Sequence, residues 1–221
     1  MATGNKSTLK NHNDIIFFIE KNFYKLKDDG ALEKTEINEK NINLNIYIDS
    51  PIFSLIPEEI FQNISSNETN SFLVPNESEY TFFEKYIPEH STYFIWAEEK
   101  KIVEKLESNF PVTNIGHVVE NLLLKKSYKN CVELFLHNNF MYISTTKEQK
   151  LQLVNRYEVH SEMDILYYTL AVIKESNLIN ETFKVINYGI NKRNFKNKLI
   201  EIFKIKNSEF YVNQSLKEIN L

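Results

Sequence analysis

Apolar and polar residues alternate on both sides of Asn138-Asn139 in the stretch Cys131–Ile143, CVELFLHNNFMYI. This alternation around a pair of turn-forming residues predicts a β-hairpin. The stretch Asp14–Leu26, DIIFFIEKNFYKL, has the same pattern when the two are aligned without a gap, so that Asn22 lies over Asn139. Two similar hairpins about half a chain apart indicate an internal duplication.

The first half continues with further strand and helix patterns. Alternating apolar residues predict strands at 43–48, 80–87, 92–96 and 112–115. We interpret 43–48 as the strand after the hairpin and so as the third strand of its sheet. Helical patterns begin at 55–61, where Pro57 suits the first turn, and cover 98–110 and 118–126.

The second half has clearer signals. Residues 151–159 predict a third strand, and Ser161 with Asp164 resembles a capping box that opens a helix. That helix places Met163, Leu166, Leu170 and Ile173 on one face. A strand at 183–187, a helix marked by Phe195, Leu199, Ile202 and Phe203, and an edge strand at 209–212 complete the prediction.

The order β-β-β-α-β-α therefore occurs twice, once loosely and once clearly. Three antiparallel strands followed by βαβ crossovers give a mixed sheet covered by helices. The sequence predicts an α/β (mixed α+β) chain of two such units, with domains at residues 1–127 and 128–221.

A resemblance to a known family rests on five stretches in this order. They are the first hairpin, LIPEEIF at 55–61, YIPE at 86–89, IGHVVENLL at 115–123, and the second hairpin. Together they resemble the bacterial domain of unknown function numbered thirty-eight twenty-two. This resemblance implies two tandem ribonuclease-H-like subdomains in an actin-like ATPase fold, reminiscent of pilus-assembly and secretion-system proteins. It implies no established activity.

Composition narrows the classes of function. The 221 residues have a net charge of −4, which argues against a broad nucleic-acid surface, and only Arg156 and Arg193 are arginine. The N-terminal stretch has no apolar core of a signal peptide, and no apolar run is long enough to span a bilayer. Because Cys131 is the single cysteine, no internal disulfide forms. We expect a cytoplasmic protein without a membrane span.

The glycines argue against an intact nucleotide site of the kind that the resemblance implies. Backbone N–H groups approach phosphate most easily at glycine, and a carboxylate helps to hold Mg²⁺. Neither hairpin turn contains Gly or Asp. A two-residue turn at Asn138-Asn139 or Lys21-Asn22 needs no ligand, because Asn tolerates positive φ. The best remnants of a nucleotide site are Asn138, Asn139, Asn187, Gly189 and Asn191.

Other constellations have weaker support. A ribonuclease-H-like nuclease needs converging carboxylates around two metal ions, and Asp14, Glu20 and Asp49 do not predict such a cluster. His117 and Glu120 have a spacing that suits either a metal ion or a hydrogen bond at a helix start, and we favour the hydrogen bond. The basic stretch 192–198 favours a solvated helix face over an RNA site.

The sequence thus favours a non-catalytic binding, scaffold or adaptor protein, with no catalytic residue, no metal ligand and no cofactor assigned. ATP with Mg²⁺ is the cofactor that the fold would otherwise use. We expect an unidentified protein partner and no nucleic acid. Two alternatives stay open: a nucleotide-binding, ATPase-like protein with an altered site, and an RNA-processing accessory protein.

Overall fold

In the residues that a computed structural model of the protein describes, thirteen strands and four α-helices have defined bounds. The structure describes residues 14–26, 32–37, 44–110, 112–120, 128–179, 181, 184–188, 201 and 209–212. In the first half, the elements are β1 (Asp14–Ile19), β2 (Asn22–Leu26), β3 (Leu32–Thr35), β4 (Leu44–Ile48), β5 (Phe53–Pro57), α1 (Glu58–Phe61), α2 (Ser66–Leu73), β6 (Tyr80–Ile87), β7 (Thr92–Glu99), α3 (Lys100–Asn109) and β8 (Val112–His117). In the second half, they are β9 (Asn130–His137), β10 (Phe140–Lys147), β11 (Lys150–Glu158), α4 (Glu162–Glu175), β12 (Lys184–Tyr188) and β13 (Glu209–Val212).

The two halves build sheets of the same topology. The first sheet has the order β3-β2-β1-β4-β8 and the second has the order β11-β10-β9-β12-β13. In each sheet the first three strands along the chain are antiparallel, and the last two are parallel to the first. This correspondence confirms the predicted tandem units and the mixed sheets. The domain boundary after residue 127 stays a prediction, because residues 121–127 lie outside the described part of the chain.

The third strand of the first sheet was predicted wrongly. It is β3, and the stretch that contains β4 is the fourth strand, which pairs in parallel with β1. The four residues of β3, LEKT, include a single apolar side chain and lie at the sheet edge, so they carry almost no alternation. In contrast, β4 alternates buried and partly buried positions, as a central strand with two covered faces does.

An additional three-stranded sheet, of order β5-β7-β6, is inserted between β4 and β8. The predicted helix start at 55–61 is therefore wrong for Leu55–Pro57, which ends β5; α1 begins at Glu58. Strand pairing, and not helix formation, determines the conformation of these residues, because Leu55 lies opposite Phe94 in β7 and packs against the core. The predicted strands at 80–87 and 92–96 are confirmed as β6 and β7. The helix predicted at 98–110 is α3, which begins at Lys100 and buries Val103 and Leu106.

Helix α4 covers one face of the second sheet. The capping box is confirmed: the Ser161 side chain accepts a hydrogen bond from the Asp164 N–H, and the Asp164 carboxylate accepts one from the Ser161 N–H. The predicted face is partly wrong, since Met163 is 64% exposed. The residues that pack toward the sheet are Ile165, Leu166, Thr169, Val172 and Ile173. The predicted helix around 195–203 lies outside the described residues except for Glu201, which is helical.

The larger hydrophobic core is shared by the two halves. It includes Ile16, Ile46 and Trp96 from the first half, with Phe135, Phe140 and Tyr142 from the second. A smaller core lies between α4 and the second sheet. Among the described residues, no helix is long and apolar enough to cross a membrane.

The observed face of α4 predicts different costs for two neighbouring truncations. Leu166→Ala removes a buried side chain and should lower the free energy of unfolding by about 2–5 kcal/mol. Met163→Ala, on the exposed side, should change it by less than about 0.5 kcal/mol. Urea unfolding of both variants measures the difference, and equal losses would contradict the observed packing.

Candidate functional site

The tips of the two corresponding hairpins touch each other. Strands β1 and β2 are joined by Glu20-Lys21, and β9 and β10 by Asn138-Asn139. Asn138 Nδ2 donates a hydrogen bond to Glu20 Oε2 at 2.8 Å, across a sequence separation of 118 residues. Asn138 therefore closes its own turn and also binds the equivalent turn of the first half.

The first turn differs from its prediction by one residue. Its central residues are Glu20 and Lys21, with φ of 48° and 62°, in place of Lys21 and Asn22. Asn22 begins β2, and its side-chain amide donates to the Glu20 carbonyl at 2.9 Å. In the second turn Asn138 has a φ of 48°, and the Asn139 carbonyl accepts the Val159 N–H at 2.7 Å. The ungapped alignment of the two hairpins is thus displaced by one position from their structural correspondence.

A buried carboxylate lies directly after β4, at the same end of the sheet as the two turns. Asp49 is 2% exposed. The Arg156 guanidinium on β11 donates to both of its oxygens, from Nε to Oδ1 at 3.1 Å and from Nη2 to Oδ2 at 3.2 Å. The Tyr142 hydroxyl on β10 donates to Oδ1 at 2.5 Å. This two-point arginine fork is the geometry that holds a buried carboxylate most effectively.

The next residue connects the other elements to the same point. The Ser50 carbonyl accepts from the Tyr142 hydroxyl at 3.1 Å and from His117 Nε2 at 2.8 Å. The Ser50 hydroxyl donates to the Ala97 carbonyl on β7 at 2.6 Å. Asp49 and Ser50 therefore connect the first sheet to both the second sheet and the inserted sheet. We call the region formed by 20–21, 49–50, 138–142 and 156 the junction.

His117 is a buried structural imidazole at the end of β8. Its Nδ1 accepts the Val119 N–H at 3.0 Å, so the proton lies on Nε2 and is donated to Ser50. Burial among Phe53, Phe94 and Trp96 lowers the pKa of His117, and the positive charge of Arg156 adds to this effect. Although the hydrogen bond to the Ser50 carbonyl acts in the opposite direction, the pKa falls to about 3. The ring is therefore neutral at physiological pH.

Aromatic rings fill the space around the buried ion pair. The Arg156 guanidinium lies over the Phe140 ring at 4.7 Å, and Phe53 contacts Tyr142 with ring centroids 5.9 Å apart. Beside the turns, His137 packs edge-on against Tyr24 at 4.7 Å. The junction is thus closed by side chains from both halves.

The junction has little capacity for acid–base chemistry. Burial and the Asp49 charge raise the pKa of the Tyr142 hydroxyl well above 10, so it remains a donor. Both Asp49 oxygens already accept hydrogen bonds from Arg156. A general base must reach a substrate proton, and the Asp49 carboxylate is almost completely buried and already accepts three hydrogen bonds from Arg156 and Tyr142.

Asp14 and Asp164 do not join Asp49 in a carboxylate cluster of the kind that a nuclease needs. Since β1 and β4 are parallel and Asp14 lies opposite Leu44, Asp14 is at the other end of the sheet from Asp49. Asp164 is held in the capping box of α4. Within the described residues, no group of three or more His, Cys, Asp or Glu side chains has an arrangement that could hold a metal ion.

The predicted hydrogen bond between His117 and Glu120 is confirmed. Glu120 Oε1 accepts the His117 N–H at 2.7 Å, and its Oε2 accepts Lys85 Nζ at 2.6 Å. Gly116 permits this approach, because a Cβ there would lie 2.9 Å from the Tyr47 ring and 3.1 Å from Glu120 Oε1. His117 and Glu120 thus fix the end of β8.

The nucleotide role of the other predicted residues stays a prediction. The backbone of Asn187 lies in β12 opposite Leu134. Gly189, Asn191 and the basic stretch 192–198 lie outside the described part of the chain. Sequence reasoning missed the roles of Tyr142, Ser50 and Arg156. One signal was available for Arg156: it is one of two arginines in a lysine-rich chain, and a buried carboxylate favours arginine.

Breaking the buried ion pair should destabilise the protein strongly. Arg156→Met keeps the aliphatic part of the side chain but removes the guanidinium and leaves the Asp49 carboxylate buried without its partner. We therefore expect the free energy of unfolding to fall by about 3–5 kcal/mol. Arg156→Lys keeps the positive charge but not the two-point fork, so its free energy of unfolding should fall by less. The double variant with Asp49→Asn should show a coupling of about 0.5–3 kcal/mol. A loss below about 1 kcal/mol for Arg156→Met would contradict the assigned role.

The burial of His117 predicts a pH dependence. Because its pKa is lowered from 6.5 to about 3, the unfolded chain binds this proton more readily than the folded protein between those values. Stability should therefore fall as the pH falls through this window, and less so in His117→Gln. Urea unfolding at pH 7, 6, 5 and 4 measures the slope of the free energy of unfolding against pH for the wild type and for His117→Gln. Equal slopes, or an imidazole that titrates near 6.5 by NMR, would contradict the burial.

Two solved structures have similar folds. One is a crystal structure from Bacteroides thetaiotaomicron, described as a protein with an actin-like ATPase fold and unknown function; its TM-score is 0.64 at 14% identity, with 94% of each chain covered. The other is the PilM-PilN type IV pilus biogenesis complex, with a TM-score of 0.53 at 9% identity, covering 91% of this chain and 88% of that one. These likenesses confirm the actin-like ATPase fold. No curated protein matches the chain.

The family comparison agrees with the resemblance found in the sequence. The family described as "Protein of unknown function (DUF3822)" matches residues 28–204, which begin just after the first hairpin and include the junction residues 49–50, 138–142 and 156. The chain therefore belongs to the DUF3822 family.

Proposed function

We propose that this protein is a non-catalytic, cytoplasmic scaffold or adaptor that has kept an actin-like ATPase fold and lost the ATPase chemistry. The observation that carries the proposal is the direct contact between the two hairpin tips, made by Asn138 and Glu20. In an active ATPase of this fold, backbone amides of these turns would approach the phosphate of the nucleotide. Here the turns approach each other.

Charge and backbone shape support this proposal. A nucleotide phosphate at the tips would meet the Glu20 carboxylate, and a second carboxylate, Asp49, lies at the same end of the sheet. Parting the halves would separate Asp49 from Arg156, and breaking such a buried pair costs about 3–5 kcal/mol. Glu20, Lys21 and Asn138 have left-handed backbone conformations and carry side chains. Glycine at these positions would let the backbone approach a phosphate more closely.

A protein partner fits the same proposal. The similar pilus structure is a complex of PilM with PilN, so this fold takes part there in a protein–protein assembly. We extend that role to this chain as a proposal, with domains at residues 1–127 and 128–221 and with no requirement for a nucleotide.

Direct titration with ATP tests the proposed loss of ATPase chemistry. With Mg²⁺ present, isothermal titration should show no binding up to about 1 mM ATP, and a phosphate-release assay should show no turnover above buffer. Micromolar binding accompanied by turnover would contradict the proposal. If ATP instead raised the melting temperature without turnover, and Gly189→Trp abolished that shift, the altered-site alternative would replace it.

A further inference from the structure

A groove lies between the inserted sheet and the second sheet, outside the contacts that close the junction. It has a volume of about 360 Å³ and is lined by residues 51 and 53–55 from the side of β5 and by 152–156 of β11. Because side chains alternate between the faces of a strand, a groove lined by consecutive residues runs along strand edges. Both strands are edges: in the described part of the chain, no strand pairs with the outer side of β5 or β11.

The hydrogen-bond phase of β11 shows which backbone groups face the groove. The Val159 N–H donates to the Asn139 carbonyl, and in an antiparallel pair every second residue bonds to the partner strand. Leu153 and Asn155 therefore turn their backbone groups toward β10, while Val154 and Arg156 turn theirs outward. The Arg156 N–H agrees with this phase, since it donates to the Asn155 side chain at 2.8 Å.

The same reasoning applies to β5. The Ala97 N–H donates to the Ile52 carbonyl and the Glu58 N–H to the Ser91 carbonyl, which fixes the phase of its pairing with β7. Phe53 and Leu55 consequently turn their N–H and C=O groups outward. The residues with outward groups on both strands, Phe53, Leu55, Val154 and Arg156, all line the groove.

We propose that this groove binds an extended peptide segment of a partner protein by strand addition. Unpaired edge amides and carbonyls are satisfied by the backbone of an added strand, whereas a compact small molecule cannot match their repeat. The five residues 152–156 extend roughly 15 Å, which suits a segment of four or five residues. This inference rests on the proposed binding role and names its surface.

The side chains that line the groove constrain the segment less than the backbone does. Arg156, 23% exposed, is the one charged residue that lines the groove, and no acidic residue lines it. Phe53, Leu55 and Val154 add partly buried apolar surface. Because Arg156 already pairs with both oxygens of Asp49, its charge requires no acidic residue in the segment, and the outward backbone groups define the contact.

Val154 offers a substitution that tests the backbone contact. Proline removes its outward N–H, and an edge strand tolerates proline where that N–H faces away from the ladder. Val154→Thr keeps the N–H and the branched shape, so it is the matched control. Circular dichroism and urea unfolding verify that both variants fold.

The experiment selects binding peptides from a random library of displayed dodecapeptides, using the full-length protein. The selected peptide should bind Val154→Pro at least about tenfold more weakly than wild type, and Val154→Thr within about threefold. By NMR, the Leu55 and Val154 amides should exchange rapidly in the free protein and slowly with the peptide bound.

Three results would overturn the groove as the site. The first is equal affinity of the peptide for Val154→Pro and Val154→Thr, and the second is a bound peptide that slows the exchange of other amides only. The third is slow exchange of the Leu55 and Val154 amides in the free protein, which would mean that the chain itself or a second copy fills the groove. A selection that yields no peptide binding below about 100 μM would overturn it as well. None of these results affects the ATP titration, so the failure of the groove and the failure of the proposed function remain distinguishable.

Discussion

The buried carboxylate of Asp49 constrains the whole arrangement. A charge that is almost completely removed from water must be paired and hydrogen-bonded, and Arg156 and Tyr142 from the second half supply those partners. The adjacent Ser50 connects the same point to β7 and to His117. The first sheet, the second sheet and the inserted sheet therefore meet at two consecutive residues, and the relative position of the halves follows from satisfying them.

This constraint bears on function through the space that it occupies. The fold places the two hairpin turns and the end of β4 together at one end of the sheets, where they are closed by an ion pair, aromatic rings and a contact between the turns. Binding at this place would have to break buried contacts first. Within the described part of the chain, the outward hydrogen-bonding groups of β5 and β11 carry no such requirement, which is why we propose them as the surface for a partner.

Much of the fold could be predicted from local pattern. The duplicated hairpins, strands β6, β7 and β11, and the capping box at Ser161 depend on neighbouring residues, and the sequence displays them directly. Strand β3 could not be recognised because its pairing with β2, rather than its own alternation, makes it a strand. The exposed side of α4 was misjudged because several apolar residues crowd both sides of the helix, and only the packed sheet selects among them.

The candidate site was less predictable than the fold, for a physical reason. Asp49 and Arg156 are 107 residues apart in sequence, and neither position has a local motif that announces a partner. The missing glycines predict turns that need no ligand, but the contact between Asn138 and Glu20 depends on the docking of two units, which no local pattern shows. Composition could show that arginine is scarce; geometry alone could show where it is used.

The central claim is that the two halves are locked together and do not open for a nucleotide. Double electron–electron resonance between spin labels at the exposed positions Lys34→Cys and Glu175→Cys, in a Cys131→Ala background, measures this most directly. The account predicts one narrow distance distribution that is the same with and without ATP and Mg²⁺. A second population, or a distance that shifts when ATP is added, would contradict it.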